Sequence, residues 1–284
     1  SHDPAISEVG RLLAEGMAAR RFEVLDSLLG HPDQRVRLEA QWELAGRGQS
    51  AWKTLATVAL HETNSRARRH ALWGLSQIVR QAPGNDAELT SNLTALLPLL
   101  DDPDPTVQAA AGRLLGSSWV GLSQQKLMEL IESAPAPAAA QAMFAYRELF
   151  GAFRPGGHLR FRFSAWGHLL ELLPNRLKSA LPSANRGLIW PTTQIEACLV
   201  RSRPVDPVLL HSAVLLLDRL AEVSGGSLRP HLPTWATHTN ATVRLAFLLA
   251  ERRHKFAEIE GFLADPSPQV VLEAARAIHD VPIP

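Results

Sequence analysis

The chain has 284 residues, 46% of them hydrophobic, enough to bury a sizeable core as one large domain or two ordinary ones. Charged residues make up 20% and balance at 29 Lys+Arg against 28 Asp+Glu, which excludes a highly charged disordered chain and a strongly basic nucleic-acid binder. A lone cysteine, Cys198, leaves no intramolecular disulfide and no zinc site that needs two thiolates.

In chain order, the first clear unit is an apolar helix ending near Leu29, a turn at His31-Pro32-Asp33, and a second helix whose Val36, Ala40 and Leu44 form one stripe. The same register returns at Leu60, Ala67, Ala71 and Leu75 after the turn His61-Glu62-Thr63-Asn64. It returns again at Leu100, Val107, Ala111 and Leu115, after Asp102-Pro103-Asp104-Pro105. Ile131, Ala138, Ala142 and Tyr146 keep it across a weaker turn, Ala134-Pro135-Ala136-Pro137. Asp206-Pro207 opens a strongly apolar helix over 208–223, with Asp206 at the cap and Pro207 in the first position. A looser copy, Ala236, Val243 and Phe247, follows, and Leu263, Val270, Ala274 and Ile278 close the series after Asp265-Pro266-Ser267-Pro268. The turns are rich in Pro, Asp, Asn and Thr: proline, as at Pro32, Pro103 and Pro266, cannot continue the first helix, and Asp or Asn supplies side-chain oxygens for the orphan amides of the second. The small residue in mid-stripe lets a neighbouring helix approach closely.

The key positions Val36, Ala67, Val107, Val243 and Val270 are 31, 40, 136 and 27 residues apart. Spacings of 30–40 belong to helical-hairpin repeats, which bury their apolar faces only by stacking. The expected fold is all-α, a right-handed α-solenoid with repeats over 1–150, an irregular insertion over 151–205 and further repeats over 206–284, in one continuous array. The longest apolar stretches, such as Val208 to Leu217, reach about half the ~20 residues of a membrane span. The opening Ser1-His2-Asp3-Pro4 shows no basic-then-apolar leader.

These residues resemble HEAT repeats, especially the short bacterial kind labelled lyase-type; residues 30–37 and 265–276 carry that pattern best. The runs 28–48, 69–75 and 262–283 are also similar to a multidomain family of planctomycetes called membrane-bound dehydrogenase-like. Those proteins place a β-propeller first, HEAT repeats next and a c-type cytochrome last. This chain has no propeller-length β-rich segment and no Cys-x-x-Cys-His. The resemblance therefore implies a middle module that spaces or docks redox domains, and a periplasmic or cell-envelope setting; a cytoplasmic one is the alternative.

Charge is unevenly placed. Residues 151–203 carry 8 basic and 2 acidic residues, against 14 and 17 in 1–150 and 7 and 9 in 204–284. Of all the basic residues only four are lysine, and guanidinium groups suit bidentate and stacked contacts. The candidate partner-binding residues are Arg154, Arg160, Phe161, Arg162, Phe163, Trp166, Arg176, Arg186 and Trp190, where arginine interleaves with aromatics. Trp42 and Trp73, six residues past the key positions, are expected in core or inter-repeat packing. Cys198 is expected to be a small buried hydrophobe, and Asp101, Asp102 and Asp104 to cap a helix instead of binding calcium. No histidine pair has the i, i+4 spacing of a metal site, and neither a nucleophile elbow nor a phosphate loop occurs. No catalytic residue, metal or cofactor is therefore expected. The expected function is a non-catalytic scaffold contacting a protein partner or neighbouring domains. The alternatives are a HEAT-like nucleic-acid binder or DNA glycosylase, with nucleic acid disfavoured by the balanced charge, and a bilin lyase or chaperone.

Overall fold

The computed structural model of the chain describes residues 4–81, 87–117, 123–151, 191–223, 228, 234–254 and 257–280. Within them every regular element is an α-helix or a 3-10 helix, so the all-α solenoid of hairpins expected from the register is the fold. Two compact units divide the chain, Ser1–Leu127 and Met128–Pro284.

The first unit begins with α1 (Pro4–Glu15). It continues as three hairpins: α2 (Phe22–Leu28) with α3 (Gln34–Gly46), α4 (Trp52–His61) with α5 (Ser65–Gln81), and a 3-10 helix at Leu97–Asp101 with α7 (Pro105–Ser117). A short α6 (Ala87–Thr94) leads into the third. The second helices α3, α5 and α7 stack in sequence, and α2 lies on α4. The stripes predicted from the register form the core: Val36, Ala40, Leu44, Ala71, Leu75, Val107, Ala111 and Leu115 are fully buried, and Ala67 nearly so. Close approach is visible at Gly74, where an added Cβ would sit 3.2 and 3.3 Å from the two Leu55 methyls of α4.

The second unit holds α9 (Ala136–Gly151), α10 (Thr192–Arg201), α11 (Pro207–Val223), α12 (Ala241–Arg252) and α13 (Pro268–Asp280), after α8 (Ser123–Ser133), which spans the division. Helix α11 packs on both α9 and α12, and α12 packs on α13. Short 3-10 helices at Trp235–Thr237 and Ala257–Ala264 serve as first arms for α12 and α13. The long interval between Val107 and Val243 thus contains α8 with α9 and α10 with α11. Ile131, Ala138, Ala142 and Tyr146 are buried as their register requires. In the looser copy Val243 and Phe247 are buried, whereas Ala236 is half-buried and its neighbour Trp235 enters the core. In the last hairpin, however, Leu263 and Ile278 are exposed. Ile259, Phe262 and Ala277 are buried instead.

The turns share one hydrogen-bond pattern. Asp33, Asn64, Asp104 and Asn240 each accept from the amide two residues on, at 2.8 to 3.0 Å, and so cap α3, α5, α7 and α12. Two residues before each cap another side chain accepts from the cap residue's own amide: His31 Nδ1, Glu62 Oε1, Asp102 Oδ1 and His238 Nδ1. Asp265 does the same for Ser267 ahead of α13. Asp102 and Asp104 are therefore turn and cap residues, as expected. Asp206 also behaves as predicted, its Oδ1 accepting from the amides of Val208 and Leu209.

Candidate functional site

Arginines one residue past the key position tie hairpins together. Arg68 pairs with Asp102 of the following turn. Arg244 grips Asp265 with two hydrogen bonds of 2.6 and 2.8 Å. Arg37 donates to the carbonyls of His31 and Pro32 and, through Nε, to His70 Nε2 at 3.1 Å. His70 is 3% exposed, and its Nδ1 lies 2.7 Å from Gln41 Oε1. The Arg37 bond makes Nε2 the acceptor, so Nδ1–H donates to Gln41 and the ring is neutral. Burial, with Arg37 and Arg69 adding repulsion, pushes the imidazole down to about 4.

This buried bracket supports a surface. The His70 ring meets Trp73 edge-on, with centroids 4.9 Å apart, and the Arg69 guanidinium lies 6.0 Å over the same indole. Trp73 is 38% exposed, and Trp42 at the equivalent position on α3 is 51% exposed. The expectation that these two tryptophans pack in the core or between repeats is corrected here. At 100° per residue, a position six past the key lies about 160° from the centre of the buried stripe. That arithmetic was available from sequence and is the signal that finds them.

The outward face so defined continues along the stack. Arg66 and Arg69 share it on α5, and Arg113 takes the tryptophan position on α7, exposed. Neighbouring packed helices lie about 8–10 Å apart, so equivalent positions on α3, α5 and α7 form a row. Among the described residues Arg66, Arg69 and Arg113 have no carboxylate partner, whereas Arg35 pairs with Asp33 and Arg47 with Glu43. Arg69 Nε is buried without a hydrogen-bond partner. Arg37 is held below the usual guanidinium range by burial and by repulsion from Arg66 and Arg69.

The candidate residues of the basic insertion, Arg154, Arg160, Phe161, Arg162, Phe163, Trp166, Arg176, Arg186 and Trp190, lie outside the described residues. Arg201, at the described end of that segment, donates to the Ala134 carbonyl at 2.8 Å and joins α10 to the end of α8. Cys198 is buried and free, and burial pushes its thiol up, as for a small core residue. Among the described residues no three His, Cys, Asp or Glu side chains gather as metal ligands, and no helix is long and apolar enough to cross a membrane. In the second unit an open groove of about 470 Å³ runs between α11 and α12, lined by Leu210, His211, Val214, Leu249, Arg252 and Arg253 among others. Arg252 is committed to Asp280 and Arg253 to Asp218.

No curated protein compared with the chain matches it. Residues 65–117, which run from α5 through α7 and include Arg66, Arg69, Trp73 and Arg113, match the family model of the HEAT-like repeat. These residues are thus similar to a HEAT-like repeat, and HEAT-like repeats generally serve protein interaction.

Proposed function

We propose that this chain is a non-catalytic docking module whose repeat helices present a contact surface to a protein partner or to neighbouring domains. The observation that carries this reading is the exposure of Trp42 and Trp73 at the same register of adjacent helices. Two indoles turned outward add little to the fold, and aromatic side chains beside arginine are the residue types that dominate protein contacts. Leu263, Leu272 and Ile278, exposed on the last described hairpin, add apolar surface that a further element would cover. The basic insertion supplies a second proposed contact, toward an acidic partner, through Arg154, Arg160, Arg162, Arg176 and Arg186 with Phe161, Phe163, Trp166 and Trp190. Resemblance to the dehydrogenase-like family supports an exported redox assembly as the setting.

The test is to isolate the complex from its source through a tag on this chain and identify the bound component by mass spectrometry. That component is then titrated against the wild type and the Trp42→Ala/Trp73→Ala variant. Affinity is expected to fall tenfold or more. Unchanged affinity removes the tryptophan face from the interface, and a component with neither a propeller nor a haem domain removes the redox setting.

A further inference from the structure

Among the described residues, three guanidinium groups on one face, those of Arg66, Arg69 and Arg113, have no carboxylate partner. A solvated arginine needs none, but Arg69 is only partly in water and its Nε is buried with no acceptor. Arg66 and Arg69 also lie close enough to Arg37 to repel it. The fold thus places like charges beside two exposed indoles, an arrangement that favours an arriving anion.

The anion could belong to a nucleic acid or to a protein, and two observations favour protein. The first unit carries thirteen basic and fourteen acidic residues over 1–127, so its arginines form a local patch and not the extended basic track that a phosphate backbone needs. Glu39 stands exposed on α3, three residues before Trp42 and about 60° from it around the helix. It would oppose a continuous run of phosphates. A peptide with carboxylates spaced between apolar side chains can meet the arginines of α5 and α7 and still avoid Glu39.

We propose that the row formed by Trp42, Trp73, Arg66, Arg69 and Arg113 takes an acidic segment of a partner protein, its carboxylates on the arginines and its apolar side chains on the indoles. This rests on the docking reading above and specifies the chemistry of the partner. Arg69, already over Trp73, is placed to bridge the two kinds of contact, its guanidinium plane on the ring and its edge toward a carboxylate.

The experiment uses the full chain and a short fluorescein-labelled peptide of alternating glutamate and leucine, with its glutamine–leucine counterpart and a labelled oligothymidylate as comparisons. Anisotropy is read at low and high salt. The expected result is glutamate-peptide binding at least about tenfold tighter than either comparison and weakened by salt. Arg66→Glu/Arg69→Glu should abolish that preference. Arg66→Gln/Arg113→Gln, at exposed positions that leave the fold intact, should reduce it severalfold. Equal binding of both peptides, loss through Trp42→Ala/Trp73→Ala but not through the arginine variants, or preference for oligothymidylate overturns the acidic-segment assignment. The second of these leaves the docking face standing. Peptide binding indifferent to both sets of variants, or no binding at all, overturns the assignment too, and indifference to the tryptophans also counts against the docking face.

Discussion

Arg244 and Asp265 form a two-pronged ion pair across the last two hairpins, with Nε and Nη2 reaching the two carboxylate oxygens at 2.6 and 2.8 Å and the side chains only 9% and 5% exposed. The same carboxylate accepts from the Ser267 amide, so one aspartate shapes its own turn and receives the arginine of the preceding repeat. Arg244 holds the Asp265 carboxyl below its usual range.

Removing one partner leaves a charge buried alone. Asp265→Ala is expected to cost about 3–5 kcal/mol in urea unfolding of the second unit, and Arg244→Met combined with Asp265→Ala markedly less than the sum of the singles. Additive losses would show that the two residues act independently.

His70 sets an acid response in the first unit. Its unfolded value is the ordinary 6.5 and its folded value about 4, so between those limits the unfolded chain holds the extra proton. Stability is complete above pH 6.5, falls as pH drops, and has lost about 3 kcal/mol once pH passes 4. Asp33 and Asp104, both lowered to about 2 by hydrogen bonds led by Arg35 and Thr106 respectively, act in a separate window: their contribution is present above about pH 4 and is lost toward 2. Urea midpoints measured from pH 7 to 4 should slope downward in the wild type and flatten in His70→Gln.

Tight packing around Gly74 separates it from other helical glycines. Gly74→Val must displace the Leu55 methyls and is expected to cost about 1–3 kcal/mol. Gly10→Ala on α1, where an added Cβ meets nothing within 4 Å, is expected to stabilise by about 0.5–1 kcal/mol. Thermal melts of both variants read the contrast, and equal effects would contradict the close α4–α5 approach.

Exposure of the two tryptophans has an optical consequence. Trp52 and Trp235 are buried, while Trp42 and Trp73 face water. Iodide should quench Trp73 more than caesium does, since Arg69 attracts the anion. Trp73→Phe should remove that difference and change stability by less than about 1 kcal/mol.

The helix–turn–helix register, the caps at Asp33, Asn64, Asp104, Asn240 and Asp206, and the buried stripes were legible in the sequence. Each follows from interactions within about eight residues, where helical geometry is constant. The pairings of Arg68 with Asp102 and Arg244 with Asp265 were not, because they depend on how far one hairpin slides along the next. The candidate contact surface shows the same division. Sequence reading favours residues dense along the chain, such as the arginines and aromatics from Arg154 to Trp190, which lie outside the described residues. Trp42, Arg69 and Arg113 are separated by tens of residues and belong to one surface only because stacking places equivalent positions of successive repeats side by side.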